Sequence, residues 1–215
     1  MKLSDKAATI YDQITSVNAK LGDLRQIAKT LKKDHPLAVE LWSTGEFHPR
    51  MLAILLFDPK ELNLEVVDQL LEDISITDQK SHRNQLTDWL MANQLLKIKK
   101  LIPEIETWAE DATPVKRRIF WYYQGRLRWM GKPSPENTPR IVELIEKKLH
   151  DEHPDVQWAM NFTAGWIGIY NPQYRDRLIA LGEKLGLFKD EMVSKNCTPN
   201  YLPEFIRIEV GKRGG

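Results

Sequence analysis

The sequence predicts an all-α fold, and three observations carry that prediction. Helical periodicity runs through most of the 215 residues, whereas the alternation typical of strands is nearly absent. Proline recurs at the first position of predicted helices, and it follows threonine at residues 113, 138 and 198. A threonine hydroxyl accepts an orphan N–H at a helix start, and proline lacks the N–H that would be orphaned. Connections are short, so successive helices should pack antiparallel.

Twelve helices follow from this pattern, and Asn63 is expected to cap the fifth. Their spacing gives helix pairs of about 35 to 45 residues, the range of HEAT-like repeats. We therefore predict an α-solenoid of HEAT-like antiparallel helix pairs in one domain over residues 1–215, with a non-repeating helical bundle as the alternative. The predicted helices cover residues 5–17, 19–33, 36–43, 48–57, 64–74, 85–97, 99–110, 114–131, 139–151, 154–169, 172–186 and 200–210.

The composition excludes several classes of protein. The formal net charge is only +1, so a role on nucleic acid must come from a local basic patch. Cys197 is the single cysteine, which rules out an intrachain disulfide. The five histidines form no metal-binding motif and there is no glycine-rich phosphate loop, so we predict no metal and no cofactor. With no secretory start and no apolar run long enough to span a membrane, we expect a cytoplasmic monomer without a membrane partner.

One segment, residues 113–133, concentrates cations and aromatic side chains. It contains six lysines and arginines, five aromatic residues and no acidic residue. On a helical wheel with 100° per residue, four of its six cations fall within about 100° of one another, and a wide, mainly apolar face lies opposite. This predicted stripe consists of Arg117, Arg128, Trp121, Lys132, Gly125 and Arg118.

Two interpretations of the stripe are open. Guanidinium groups bind phosphate oxygens in a fork, so the stripe fits DNA, and an anionic protein partner would serve equally well. The alternative is a solvated basic face on a core helix, although such a face usually carries both charges. Gly125 within the stripe weakens a helix, and one use of that cost is close approach of another backbone.

A second segment, residues 84–100, adds a tryptophan and cations. Trp89 and Asn93 are four residues apart and share a helix face, and Lys97 follows one turn later. The alternative for Trp89 is a place in the core.

Four stretches in the same order resemble the DNA alkylation repair family, the AlkD-type HEAT-like repeat DNA glycosylases. They are "HPLAVELWSTGEFHPRMLAILLFD" at 35–58, "DWLMANQ" at 88–94, "VKRRIFWYYQ" at 115–124 and "HPDVQWAMNFTAGWIG" at 153–168. The resemblance implies an α-solenoid whose concave basic surface holds double-stranded DNA. It also implies hydrolysis, without a metal, of the N-glycosidic bond of N3- or N7-alkylated purines. Trp89 matches the family's cleft tryptophan, and Arg118 matches its arginine.

Asn93 stands where the family has its aspartate, which steadies the developing sugar cation or positions the water. A carboxylate stabilises an oxocarbenium-like sugar, whereas an amide supplies no charge and is no general base. The resemblance therefore predicts a catalytic trio of Trp89, Asn93 and Arg118 with little or no base excision. DNA contacts are expected from Arg117, Trp121, Arg128, Lys132 and Lys97.

Three functions remain open from the sequence: a working alkylpurine glycosylase, a non-catalytic binder of damaged, distorted or branched DNA, and a helical-repeat adaptor for other proteins. A salt titration separates DNA binding from the adaptor, because binding through several phosphates weakens steeply with salt.

Overall fold

All regular secondary structure in the computed structural model is helical, within the residues it describes, 2–16, 19–129 and 133–214. This confirms the predicted all-α class. In these ranges the helices are α1 (Asp5–Ser16), α2 (Leu21–Leu31), α3 (His35–Ser43), α4 (Phe47–Leu56), α5 (Leu64–Ser75), α6 (Lys80–Asn93), α7 (Ile102–Ile105), α8 (Pro114–Trp129), α9 (Thr138–Lys148), α10 (Pro154–Tyr170), α11 (Pro172–Leu185) and α12 (Leu202–Lys212).

Some helix starts show the capping chemistry expected from the sequence, whereas α9 begins after Asn137 without a side-chain cap and α12 begins at Leu202, three residues after Pro199. The side chain of Asn63 accepts a hydrogen bond from the N–H of Val66 at 2.9 Å, as predicted. His153 caps α10 by accepting from the N–H of Asp155 at 3.2 Å, and a proline follows it at the first helical turn.

Two predicted elements differ. The helix expected over 99–110 is broken into 3₁₀ turns at Lys99–Leu101 and Trp108–Glu110 around the four-residue α7. Pro103 explains the break, because proline lacks an N–H and is tolerated only in the first turn of a helix. The helix expected over 85–97 ends at Asn93, where the next side chain, Gln94, turns away to donate to the carbonyl oxygens of Ile54 and Phe57.

The chain forms two compact units, Met1–Thr107 and Trp108–Gly215. The single domain expected over residues 1–215 stays a prediction. In the first unit, α3 and α4 form an antiparallel pair, in which the N–H of Asp34 donates to the carbonyl of Leu56 at 3.0 Å. Leucine, isoleucine and methionine side chains of α3 to α6 fill its core.

The second unit is built around α8 and α10, which run parallel. Arg118 near the start of α8 donates to the carbonyl of Asp155 near the start of α10, and the rings of Trp129 and Trp166 lie 6.0 Å apart near the ends of the two helices. The next helix in this layer, α12, packs along α10 in turn, while α9 and α11 provide the return connections. This alternation is the packing expected of helix pairs.

Candidate nucleic-acid interface

Trp89 on α6 is half-buried, and its orientation is fixed by a hydrogen bond. Its indole Nε1 donates to the carbonyl oxygen of Met51 on α4 at 3.1 Å. One turn later, the Nδ2 of Asn93 donates to the backbone carbonyl of Trp89 at 2.9 Å. The structure therefore brings these two predicted residues together, with the Asn93 amide bound to its own helix.

A third side chain joins this pair, which we call the Trp89 site: Trp89, Asn93 and Arg25. The guanidinium carbon of Arg25, an exposed residue on α2, lies 4.7 Å from the centroid of the Trp89 ring. A cation over an indole face is attracted by the ring quadrupole. Sequence reasoning missed Arg25, because no local pattern links α2 to α6; only the tertiary fold makes them neighbours.

Lys97 is exposed beyond the end of α6, and a second lysine lies near it. Lys33 donates from Nζ to the carbonyl oxygen of Leu55 at 2.9 Å, close to the C-terminus of α4, where the helix dipole favours a cation. Burial lowers the pKa of Lys33, and the nearby charge of Lys97 lowers it further. The carboxylate of Asp58 acts on Lys33 in the opposite direction, so the charges around these two lysines are of both signs.

In the second unit Arg117 is committed to internal partners. It forms a bidentate ion pair with Glu152, with an Nη2–Oε1 distance of 2.8 Å, and donates to the carbonyl of Asp111 at 2.7 Å. The pair borders a cleft of about 540 Å³ whose lining mixes four carboxylates with Arg117, Lys147 and Lys148. A cleft of mixed sign has no strong preference for phosphate.

Arg118 is buried, with 4% of its surface exposed. Its guanidinium donates to the backbone carbonyl of Asp155 and lies 5.1 Å from the ring centroid of Trp158. A guanidinium this deeply buried exposes little of its surface to a nucleotide.

Trp121 and Arg128, predicted to contact DNA, are each only 1% exposed, so the predicted exposure of these two is wrong. Arg128 donates to Gln124 Oε1 at 3.0 Å, Asn137 Oδ1 at 2.7 Å and Thr138 Oγ1 at 3.0 Å. Burial lowers its pKa to about 10. Lys132, also predicted to contact DNA, lies outside the described residues.

The physical reason is that α8 is enclosed by neighbouring elements. Gly125 in the middle of the stripe lets α10 approach closely, as the sequence indicated: an added Cβ would lie 2.5 Å from a ring carbon of Phe162. The helical wheel separates polar from apolar faces of α8. It does not show that Arg128 on the cationic face contacts the start of α9, or that Arg118 contacts the start of α10. The predicted DNA contacts on α8 therefore face different surroundings: Arg117 borders a cleft, while Arg118, Trp121 and Arg128 are buried. The expected meeting of Arg118 with Trp89 and Asn93 stays a prediction.

Two further features concern ligands and membranes. Within residues 2–16, 19–129 and 133–214, histidine, cysteine and acidic side chains form no group of three that could hold a metal ion. None of the helices in those ranges has the length and apolarity needed to cross a membrane.

Comparison with known proteins identifies a family and a similar structure for this chain. A protein-family model described as "DNA alkylation repair enzyme" matches residues 4–181. A solved structure described as "A new family of proteins related to the HEAT-like repeat DNA glycosylases with affinity for branched DNA structures" superposes with a TM-score of 0.66 at 16% identity, over 98% of this chain and 89% of that one. No curated protein matches the chain. The structural likeness confirms the HEAT-like fold, and the family match covers most of the chain, so the chain belongs to the DNA alkylation repair enzyme family.

Proposed function

We propose that this protein binds DNA without excising bases, and that its preferred target is distorted or branched DNA. The observation that supports the proposal is the lack of a carboxylate at position 93 in the Trp89 site. Where the family resemblance implies a carboxylate, Asn93 offers an amide, and that amide donates to the carbonyl of Trp89. Loss of one well-placed electrostatic group typically lowers a catalysed rate by about 10²- to 10³-fold.

Arg25 supports the same conclusion, because its charge favours one kind of ligand over another. A cationic N7-alkylpurine would need an aromatic face that is free of positive charge. The Arg25 guanidinium lies 4.7 Å from the Trp89 ring and would repel such a base, whereas it would attract a phosphate. The site is thus suited to the DNA backbone. The affinity for branched DNA stated for the similar structure favours branched DNA as the target.

Two measurements test the proposal together. The first follows release of N7-methylguanine from a methylated duplex at saturating protein, for the natural sequence and for Asn93→Asp. We expect release at the uncatalysed rate from the natural sequence and, with a carboxylate restored, a partial gain from the variant. Robust excision by the natural sequence would refute the non-catalytic assignment.

The second measurement titrates a four-way junction and a linear duplex of equal length at several salt concentrations. We expect tighter binding of the junction and a steep decline of both affinities with salt, because phosphate contacts release counterions. Salt-independent binding, or no binding to either DNA, would favour the protein-adaptor alternative.

A further inference from the structure

An aromatic row runs along α10 in the second unit. Trp158, Phe162, Trp166 and Tyr170 are spaced four residues apart and therefore share one helix face. Their ring centroids are separated by 5.2, 5.9 and 5.9 Å in order, and the first and last pairs are stacked with interplanar angles of 15° and 16°. A packing role alone would bury all four rings, but Phe162 and Tyr170 are only half-buried.

Trp129 at the end of α8 extends this row towards solvent. Its ring lies 6.3 Å from Phe162 and 6.0 Å from Trp166, and it is 36% exposed. Trp129 thus joins the half-buried rings of Phe162 and Tyr170 through the buried ring of Trp166, and together they leave an accessible aromatic surface.

Two arginines lie over this surface. The guanidinium carbon of Arg126 is 4.3 Å from the Trp129 ring centroid. That of Arg213, just after α12, is 5.4 Å from the Trp166 ring and 5.8 Å from the Tyr170 ring, and its Nε donates to the Tyr170 hydroxyl at 3.2 Å. Glu209 pairs with Arg213 and holds it in place.

The chemistry of this combination points to one kind of ligand. Aromatic faces stack on nucleobases, and arginine side chains beside them bind the connecting phosphates, which is how sequence-independent surfaces hold single strands. Paired bases inside a duplex hide their faces in the stack, so such a surface is useful only where bases are unpaired. A cationic protein partner would be repelled by the two guanidiniums, and an acidic one would leave the rings unused.

We propose that Arg126, Trp129, Phe162, Tyr170 and Arg213 form a binding surface for unpaired nucleotides, which we call the Trp129 surface. It rests on the proposed DNA-binding function and deepens it, because branched DNA exposes unstacked bases at its junction. Trp129 stacks on a base, and Arg126 moves from the ring to the neighbouring phosphate.

The test measures affinity for an oligothymidine of about twelve nucleotides, within the span of known single-strand sites. We expect Trp129→Ala to weaken this binding by about 5-fold to 100-fold, the loss of one stacked base, while binding of a fully paired linear duplex stays within about twofold. Trp129→Phe retains a ring and should recover most of the affinity. Met192→Ala, which truncates a side chain that is 97% exposed in the same unit, is the matched control and should change nothing.

A second variant guards against a folding defect at position 129. Arg126→Gln keeps the aromatic row and removes one cation, so it should reduce the salt dependence of oligothymidine binding by about 0.7 in log–log slope. If neither Trp129→Ala nor Arg126→Gln changes the binding of oligothymidine, the proposed Trp129 surface is wrong. If the natural protein binds duplex and junction but not oligothymidine, this inference fails and the proposed function stands; if it binds none of the three, both fail.

Discussion

The ring of Phe162 occupies the space that a Cβ atom on Gly125 would need. That Cβ would lie 2.5 Å from Phe162 Cδ1 and 3.1 Å from the Thr163 hydroxyl oxygen. The same hydroxyl donates to the backbone carbonyl of Trp121 at 2.6 Å, so α8 and α10 are joined by a hydrogen bond at their closest approach. The contact leaves no room for a larger residue.

Gly125→Ala should therefore destabilise the protein. We expect the free energy of unfolding to fall by about 1–3 kcal/mol, typical of overpacking, even though alanine favours the helix. Urea denaturation measures this. Gly22→Ala is the control, because no heavy atom lies within 4 Å of a Cβ there and the substitution should stabilise by about 0.4–1 kcal/mol. A Gly125→Ala protein as stable as the natural one would show that the helices can separate without cost.

Arg128→Lys should act on stability and not on DNA binding. Lysine cannot reproduce the fork that reaches Gln124, Asn137 and Thr138, so we expect a loss of about 2–3 kcal/mol in unfolding free energy. Because Arg128 is 1% exposed, the salt slope of duplex binding should be unchanged in Arg128→Gln, which removes the charge that lysine would keep. The exposed Lys97, replaced by alanine, is the comparison and should lower the slope by about one if it contacts a phosphate. A lower slope for Arg128→Gln would mean that the buried guanidinium reaches DNA.

Glu209 should contribute to acid sensitivity. Burial raises its pKa, but hydrogen bonds from Lys212, Thr198 and Arg213 outweigh that effect and hold the pKa at about 2. Since the folded pKa lies below that of the unfolded chain, the stabilisation is present above about pH 4.5 and is lost as the pH falls towards 2. The partners are partly exposed, so we expect only about 1 kcal/mol.

Glu209→Gln tests this through unfolding curves at pH 7 and pH 3. The variant should be less stable than the natural protein at pH 7, and the difference should be clearly smaller at pH 3, where part of the stabilisation is already lost. A constant difference between them at both pH values would show that the carboxylate charge is not the stabilising feature.

Arg25→Ala should weaken DNA binding with little effect on folding. A cation–π contact at an exposed site contributes about 0.5–1 kcal/mol, so the unfolding midpoint should shift only slightly. If Arg25 binds a phosphate, the salt slope of junction binding falls by about one. Lys29→Ala on the same helix, also exposed, is the matched control for general loss of charge. Equal effects of the two variants would remove any special role for the position over Trp89.

Local signals predicted most of the helices because their causes are local. The Asn63 cap and the prolines after Thr113, Thr138 and His153 mark helix starts through groups within one turn, whereas α12 begins at Leu202, three residues after Pro199. Pro103 carried an equally local signal, a missing N–H, and the prediction of one helix over 99–110 did not take account of it.

The site was harder to predict, because its geometry depends on contacts between distant segments. Trp89 and Asn93 were found from their spacing on one helix. Arg25 reaches Trp89 from α2, and Arg128 is enclosed by the start of α9, and neither relationship leaves a trace in the local pattern. A wheel of α8 alone therefore identified the cations correctly and misjudged which of them meet solvent.

The contact between α10, α11 and α12 bears on where this protein can be shortened. Added Cβ atoms at Gly165, Gly168 and Gly182 would all strike side chains around α12, namely those of Phe205, Ile206 and Pro203. The family match ends at residue 181, before that helix begins. A chain trimmed to the matched region would lose Gly182 together with Phe205 and Ile206, which pack over Gly165 and Gly168, and apolar surface along α10 would be exposed to water. We expect such a shortened protein to self-associate or to be degraded rapidly. A shortened version of the protein should therefore end after residue 212.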